Sequence, residues 1–188
     1  AEAAVQSILP DAVILRPSVV FGNEDEFFNK FARMAQTMPF LPLIGGGKTK
    51  FQPVYVEDVA EAVAKSVDGA LKPGAIYELG GQEVMTFRDC LEAVLAATYR
   101  ERPFISLPFP IASLIGKISS MVPLIKPALT ADQVTLLKKD NVVSESAEKN
   151  GLTLAAMGIT PVRVSSVLPT YMVHYRAHGQ FAKTGKAA

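Results

Sequence analysis

The sequence is short of cysteine and of excess charge, and each shortage excludes a class of protein. Cys90 is the single cysteine among 188 residues, so no disulfide can form within the chain and a reducing compartment is expected. The 19 basic and 18 acidic residues give a formal net charge of +1. A nucleic-acid-binding surface needs a clear cationic excess, so we expect no nucleic acid among the partners.

Long uninterrupted apolar runs are also missing. The apolar segment 104–126 carries Lys117 near its centre and is divided by prolines at 108, 110 and 123, so no transmembrane span is expected. Its helical spacing instead predicts an amphipathic helix that packs on the domain, with a partner or a membrane surface as the alternative contact. The apolar positions of that face are Ile111, Leu114, Ile115, Ile118, Met121 and Val122.

The sequence has no complete phosphate-binding turn. Gly47-Lys48-Thr49 matches the end of a P-loop, but that motif needs a glycine five positions before Gly47, where Pro42 stands. The glycines at 45–47 and 80–81 also lack the spacing of a dinucleotide fingerprint. We therefore expect the 45–47 glycines to form a tight loop at the edge of a cleft.

A catalytic tyrosine with a lysine four residues later is absent as well. Such a lysine lowers the pKa of the phenol so that it can exchange a proton with the substrate. Four residues after the five tyrosines stand Val59, Gly81, Pro103, Tyr175 and Gly179. His174 and His178 share a helical face but have no nearby carboxylate, and Cys90 falls in an apolar stripe. We therefore predict no catalytic residue and no metal site.

What the chain does have is an alternation of strand and helix patterns. Apolar runs predict strands at 12–21 (ending near Pro17), 51–56, 75–79 and 104–107, the first of them covered on both faces. Helical spacing predicts helices at 23–38, 57–68, 86–100, 131–139 and 163–174, with 43–50 as a loop. Thr86 and Asp89 have capping-box spacing. This order indicates an α/β or α+β protein.

Two stretches are more specific than this alternation. They read LRPSVVFG at 15–22 and FQPVYVEDVA at 51–60. Together they resemble the second half of extended and atypical short-chain dehydrogenases/reductases, in which an RPxxVFG strand follows the tyrosine–lysine helix. The continuation at 21–31 and the prolines at 39 and 42 are similar to the nucleotide-binding accessory subunits of respiratory complex I and their bacterial homologues.

The resemblance implies an α/β fold in three parts. Residues 1–81 would be the C-terminal part of a Rossmann-like parallel sheet, 82–178 a smaller and mainly helical substrate-side lobe, and 179–188 a flexible tail. It implies NAD or NADP as the cofactor and a binding protein that is not catalytic in this chain. The alternative is an active NAD(P)-dependent reductase, epimerase or dehydratase acting on a nucleotide sugar or a similar small substrate.

The resemblance also implies partners and a location. Complex I subunits would be the protein partners, in the cytoplasm of a bacterium at the membrane-bound complex or in the mitochondrial matrix of a eukaryote. The opening residues have a helical pattern without an N-cap, and we expect the glycine turn and the tyrosine–lysine pair to lie upstream of them. The isolated chain is then expected to bind nucleotide weakly or not at all, and to self-associate through an exposed sheet edge.

Site residues follow by position in the motifs. The backbone after the RP strand contacts nicotinamide in this superfamily, and here those residues are Pro17, Ser18, Val19 and Val20. The substrate cleft would be lined by Phe21, Asn23, Phe28, Lys48, Gln52 and Tyr55. Arg16 is expected to form an ion pair at the sheet edge, and Asp58 to cap or orient its helix.

Overall fold

The computed structural model describes residues 2–120 and 131–181. It is an α/β structure with short strands and helices along the whole described chain. The helices are α1 (Glu2–Ile8), α2 (Phe28–Thr37), α3 (Val56–Val67), α4 (Phe87–Thr98), α5 (Phe109–Ser120), α6 (Ala131–Leu136), α7 (Glu145–Lys149) and α8 (Val164–Tyr171). The strands are β1 (Ile14–Pro17), β2 (Val20–Phe21), β3 (Leu41–Ile44), β4 (Lys50–Phe51), β5 (Val54–Tyr55), β6 (Ile76–Leu79), β7 (Met85–Thr86) and β8 (Phe104–Leu107).

Most of the strand pairing is parallel, as expected for a Rossmann-like fold. β1 pairs with β6, β2 with β5 and β3 with β8, all in parallel register. β4 and β7 form a short antiparallel pair. Parallel partners need long connections between them, and here helices supply those connections. The carboxyl ends of β1 and β6 consequently meet at one edge, where ligands of α/β proteins usually bind.

The described core consists of two apolar clusters. The large cluster gathers α2, α4 and α8 around aromatic rings, and its contacts include Phe27 with Phe31 and Phe31 with Phe87, both at 5.3 Å between ring centroids. The small cluster lies between α3 and the strands β5 and β6, with residues 154–159 on its other side. Both clusters draw residues from either side of position 81, and the predicted domain boundary there stays a prediction.

Helix α4 shows why the capping signal in the sequence is reliable. The Thr86 hydroxyl accepts a hydrogen bond from the Asp89 N–H at 3.1 Å, and the Asp89 carboxylate accepts one from the Thr86 N–H at 2.9 Å. This pair satisfies two donors that have no partner within the helix, which typically stabilises a helix by about 1 kcal/mol. The helix ends at Tyr99 with a left-handed φ of 53°.

Three sequence predictions for the first fifty residues need correction. The first strand ends at Pro17 as predicted, but it begins at Ile14 rather than at 12. It is not covered on both faces within the described chain, because Arg16 and Pro17 are exposed. Helix α2 begins at Phe28 rather than at 23, since the Asp25 carboxylate accepts a hydrogen bond from the Asn29 N–H and holds the preceding residues in a turn. The segment 43–50 is not all loop, because β3 ends at Ile44.

The apolar face predicted for α5 does not pack on the domain where it is described. Ile111, Leu114 and Ile115 are 50%, 59% and 43% exposed, whereas Ala112 on the other side of the helix is fully buried. The side chain of residue 118 and residues 121–122 lie outside the described part. Within that part, no helix combines the length and the hydropathy that crossing a bilayer requires.

Candidate functional site

The candidate site begins where β1 ends, in the segment from Pro17 to Val20. The Ser18 N–H donates to the Leu79 carbonyl at 2.9 Å, which ties the segment to the end of β6. The Val19 carbonyl accepts from the Val54 N–H, also at 2.9 Å, which ties it to β5. The segment thus connects two parallel strand pairs, and its backbone conformation is fixed on both sides.

Side chains hold this segment in a hydrogen-bond network. The Ser18 hydroxyl donates to the Asn141 carbonyl at 2.7 Å and accepts from the Gln52 N–H at 3.2 Å. The Gln52 amide donates to the Gly81 carbonyl at 2.9 Å and accepts from the Val143 N–H at 2.9 Å. Gln52 is therefore a structural crosslink between three parts of the chain.

The glycines after β6 are explained by this network. A Cβ on Gly80 would lie 2.5 Å from Cδ of Gln52, and a Cβ on Gly81 would lie 1.7 Å from the Pro53 carbonyl oxygen. Both distances are shorter than van der Waals contact. Glycine is therefore needed here for close backbone approach, and not for a phosphate-binding turn.

Two cavities border the segment. The smaller, about 180 Å³, lies at the carboxyl ends of β1 and β6 and is lined by Pro17, Ser18, Leu79 and the segment 140–144, among others. The larger, about 710 Å³, has Val19 and Val20 in its wall. Asp140 and Asn141 line both cavities.

The larger cavity has an apolar interior and a charged rim. Its apolar lining residues are Val19, Val20, Phe27, Phe31, Phe51, Leu136 and Leu137. Its charged lining residues are Glu26, Lys30, Lys138, Lys139 and Asp140. Lys30 is half-buried, and burial lowers the pKa of its ammonium group below the ordinary value.

The structure places the predicted cofactor-binding residues and the predicted cleft residues in different surroundings. All four predicted cofactor-binding residues line one of the two cavities, Pro17 and Ser18 the smaller, Val19 and Val20 the larger. Phe21 and Phe28 do not line either one, because both are fully buried in the large cluster with their rings 6.1 Å apart. Position along the motif gave the order of these residues but not the direction of their side chains.

The remaining predicted cleft residues also lie outside the cavity linings. Asn23 and Lys48 are exposed, and the Asn23 carbonyl accepts from the Asn29 side chain at 3.0 Å. Gln52 belongs to the hydrogen-bond network, and Tyr55 packs on Phe21 at 5.5 Å. Partial burial and the neighbouring Glu57 raise the pKa of the Tyr55 phenol above its ordinary value.

Several lining residues gave no signal in the sequence. Asp140 and Asn141 come more than 100 residues after Ser18 and follow no recognisable motif. The Asp140 carboxylate accepts from the Lys50 N–H at 2.8 Å, and Asn141 pairs with Phe51 as an isolated parallel bridge. These contacts bring the segment to the cavities, and composition and periodicity do not encode them.

The charged residues predicted to be structural are so in the structure. Arg16 forms an ion pair with Glu2 and a second one with Glu78 at 3.7 Å. Of the two roles predicted for Asp58, capping or orienting its helix, the cap is not formed. Its carboxylate accepts from the Val162 N–H at 2.9 Å, and the residue is 6% exposed. It ties α3 to the segment that leads into α8.

Reactive groups are few in the described part of the chain. Cys90 is fully buried, and burial raises the pKa of its thiol to about 12, so it is not a nucleophile at neutral pH. Among the described residues, no three histidine, cysteine or carboxylate side chains lie close enough together to hold a metal ion.

Comparison with known proteins identifies relatives of this chain. No family model matches the sequence. The chain is 36% identical over 188 residues to the mitochondrial NADH dehydrogenase [ubiquinone] 1 alpha subcomplex subunit 9 of Arabidopsis thaliana, covering 95% of this chain and 46% of the relative. It is 27% identical to the NADH-ubiquinone oxidoreductase 40 kDa subunit of Neurospora crassa, covering 96% and 46%.

The chain is a homologue of these complex I subunits. It spans about half the length of the curated relatives that it matches. A solved structure supports the fold: the UDP-glucose 4-epimerase of Thermus thermophilus, in complex with NAD, has a TM-score of 0.60 at 21% identity and covers 93% of this chain and 50% of that one. The Rossmann-like α/β fold that the sequence motifs of this chain predicted is thereby confirmed.

Proposed function

We propose that the chain is part of an NAD(P)(H)-binding accessory subunit of NADH:ubiquinone oxidoreductase, a subunit that binds the cofactor without turning it over. The observation that carries this proposal is the homology to complex I subunits over 95% of the chain. The smaller cavity supports it, because it lies at the carboxyl ends of two parallel strands and contains polar backbone.

The residues that would hold the nicotinamide end are those around this cavity. The Ser18 N–H and the Val19 carbonyl already bond within the chain. A carboxamide would therefore pair with other polar groups of the Pro17–Val20 segment or of residues 140–144. When bound, a nicotinamide supplies a hydride donor or acceptor, and the chain's own contribution is to position the ring.

The enzyme alternative requires groups that this sequence does not contain. No tyrosine in it precedes a lysine by four residues, and the phosphate-binding glycine turn is absent. Likeness to an epimerase at 21% identity supports the fold and not the reaction. The partners would be other subunits of the complex, at the mitochondrial matrix in a eukaryote or at the cytoplasmic side in a bacterium.

The test uses the full-length natural protein that contains this sequence. After gentle purification we expect tightly bound NAD(P)(H), detected by chromatography and fluorescence, and co-migration with the peripheral arm of the complex. Finding neither would sink the proposal. Turnover of a nucleotide sugar by the same preparation would support the enzyme alternative instead.

A matched pair of variants locates the cofactor contact. Ser18→Ala removes the hydroxyl that fixes the segment to Asn141 and Gln52, and we expect weaker binding of NADPH. Ser7→Ala removes an exposed hydroxyl bonded within α1 and should leave binding unchanged. The 188-residue chain alone should not bind NADPH tightly, because phosphate contacts contribute much of a dinucleotide's affinity. Micromolar binding by it would contradict this prediction.

A further inference from the structure

The larger cavity has a lining that the cofactor proposal does not explain. Its volume of about 710 Å³ is within the range of roughly 300–1,000 Å³ that is usual for small-molecule sites. Its apolar lining residues include Val19, Val20, Phe51, Phe31 of α2 and Phe27, which immediately precedes α2. These five side chains contain no hydrogen-bond donor or acceptor.

Such walls do not suit a nucleotide sugar. The hydroxyls and phosphates of that ligand lose their bonds to water when they are buried, and each needs a protein partner in exchange. Apolar walls supply none, so the bulk of this cavity would penalise a sugar. The same walls favour a ligand whose buried part is hydrocarbon, because removing apolar surface from water is favourable on both sides.

Two further lining residues, Leu136 and Leu137, extend this apolar surface to solvent. Leu137 is 6% exposed, whereas the neighbouring Leu136 is 72% exposed and still borders the cavity. The apolar lining therefore reaches the protein surface at Leu136, which we take as the entrance to the cavity.

Two exposed lysines follow Leu136 in the chain. Lys138 and Lys139 line the cavity next to Asp140, whose carboxylate accepts a hydrogen bond from the Lys50 N–H at 2.8 Å. The two ammonium groups would attract a carboxylate or phosphate at this end of the cavity.

We propose that this cavity binds one acyl chain that carries an anionic head group, with the hydrocarbon against Phe27, Phe31 and Phe51 and the head near Lys138 and Lys139. The proposal does not rest on the cofactor, although the lining shares Val19, Val20, Asp140 and Asn141 with the region proposed to hold nicotinamide. A free fatty acid and a membrane lipid share this chemistry, and the experiment separates them.

Calorimetric titration of the full-length protein that contains this sequence tests the proposal directly. The probes are octanoate, decanoate, dodecanoate and tetradecanoate, each below its micellar concentration. We expect saturable binding of one ligand per chain. Affinity should rise about fourfold for each added methylene until the cavity is filled, and then level off. Absence of saturable binding, or affinity independent of chain length, would overturn the proposal.

Variants at the entrance test the location. Leu136→Asp places a charge in the path of the hydrocarbon, and we expect dodecanoate affinity to fall at least about tenfold, the loss of roughly two buried methylenes. Val67→Asp is the matched control, since Val67 is 81% exposed on α3 and is not part of the cavity lining. Equal losses in both variants would contradict the assignment. Circular dichroism confirms that each variant is folded.

The head group and the source of the ligand have separate tests. Lys138→Glu with Lys139→Glu should weaken dodecanoate severalfold and leave dodecanol unchanged, and an equal effect on both ligands would refute the anionic head. Sedimentation with phosphatidylglycerol vesicles tests the membrane source. Vesicle binding that is lost in Leu136→Asp supports a lipid chain in the cavity, and vesicle binding that survives together with absent fatty-acid binding refutes the cavity. NADPH binding by the full-length protein is measured separately, so failure here leaves the cofactor proposal standing.

Discussion

The large cluster is enclosed by helices α2, α4 and α8, whereas the small cluster lies beside strands and a helix that remain partly uncovered. In the large cluster Phe21, Phe28 and Phe87 are fully buried. Next to the small cluster, β1 has two half-buried and two exposed residues, and the outer side of α3 is apolar. The large cluster therefore buries its aromatic rings between helices. The strands and helices α1 and α3 near the small cluster, called the strand side below, leave apolar surface exposed.

The leftover surface has a regular pattern. Val56, Val63 and Val67 on α3 are 45%, 47% and 81% exposed, and their spacing places them on one face of the helix. Val5 and Ile8 on α1 are 46% and 78% exposed. Apolar stripes of this kind usually face another part of a protein or a partner. From this contrast we predict that mutations in the large cluster change the stability of the chain most and that mutations on the strand side change its self-association.

The strongest test of the contrast is a cavity in the large cluster. Phe87→Ala removes a fully buried ring that lies 5.3 Å from Phe31, and it should lower the free energy of unfolding by about 3–5 kcal/mol. Phe181→Ala is the control, because Phe181 is 80% exposed and should change stability by less than about 0.5 kcal/mol. Urea unfolding measures both. A larger loss from Leu79→Ala, in the small cluster, would reverse the ranking of the clusters.

Close backbone approach at Gly81 gives the next largest effect. Gly81→Ala would place a Cβ 1.7 Å from the Pro53 carbonyl oxygen, and relieving that overlap should cost about 1–3 kcal/mol or more. Gly46→Ala is the comparison, since it has a φ of 71° but no atom within 4 Å of the added Cβ, and it should cost roughly 1 kcal/mol from backbone strain alone. Thermal unfolding of both variants separates the cost of steric overlap at Gly81 from the cost of backbone strain at Gly46. Equal losses would mean that the network around Gln52 gives way easily.

Local signals predicted local structure well in this chain. The capping box at Thr86 and Asp89 identified the start of α4 to the residue, and the RPSVVFG motif identified the strand end that borders both cavities. In each case the information lies in neighbouring residues, so the sequence contains it directly.

Non-local features could not be predicted in the same way. β3 was missed because Pro42 indicates a break, yet a proline can occupy a strand whose described partner, β8, lies on one side. Phe21 and Phe28 were assigned to the cleft because a motif fixes position and not which side of the backbone is buried. Asp140 depends on a contact with Lys50, 90 residues away, that no spacing rule encodes.

A smaller effect on stability is expected at Asp58, whose carboxylate ties α3 to the segment that leads into α8. Burial raises the pKa of Asp58 above its ordinary value, so the unfolded chain releases this proton more readily than the folded one. The contribution of Asp58 to stability is then greatest below the unfolded pKa of about 3.9 and falls as the pH rises through the folded value. Asp58→Asn should lose this dependence while its amide oxygen still accepts from the Val162 N–H.

The measurement is the difference in free energy of unfolding between wild type and Asp58→Asn as a function of pH. We expect the wild type to lose stability relative to the variant as the pH rises through the folded pKa of Asp58. Asp58→Ala removes the acceptor and should cost about 1–3 kcal/mol throughout, because the Val162 N–H loses its partner. A difference that changes in the opposite direction would mean that the hydrogen bond to Val162 outweighs burial.

Replacing the exposed apolar residues of the strand side should have the smallest effect on stability. These replacements test whether the strand side causes self-association. Replacing Ile8, Val63 and Val67 by serine removes apolar surface that is 78%, 47% and 81% exposed, and stability should stay within about 0.5 kcal/mol per site. Self-association should nevertheless decrease, since these side chains no longer gain by leaving water. Light scattering across a concentration series measures it. A wild-type chain that is already a monodisperse monomer would show that the uncovered side is tolerated in water, and the contrast between the two clusters would then describe packing alone.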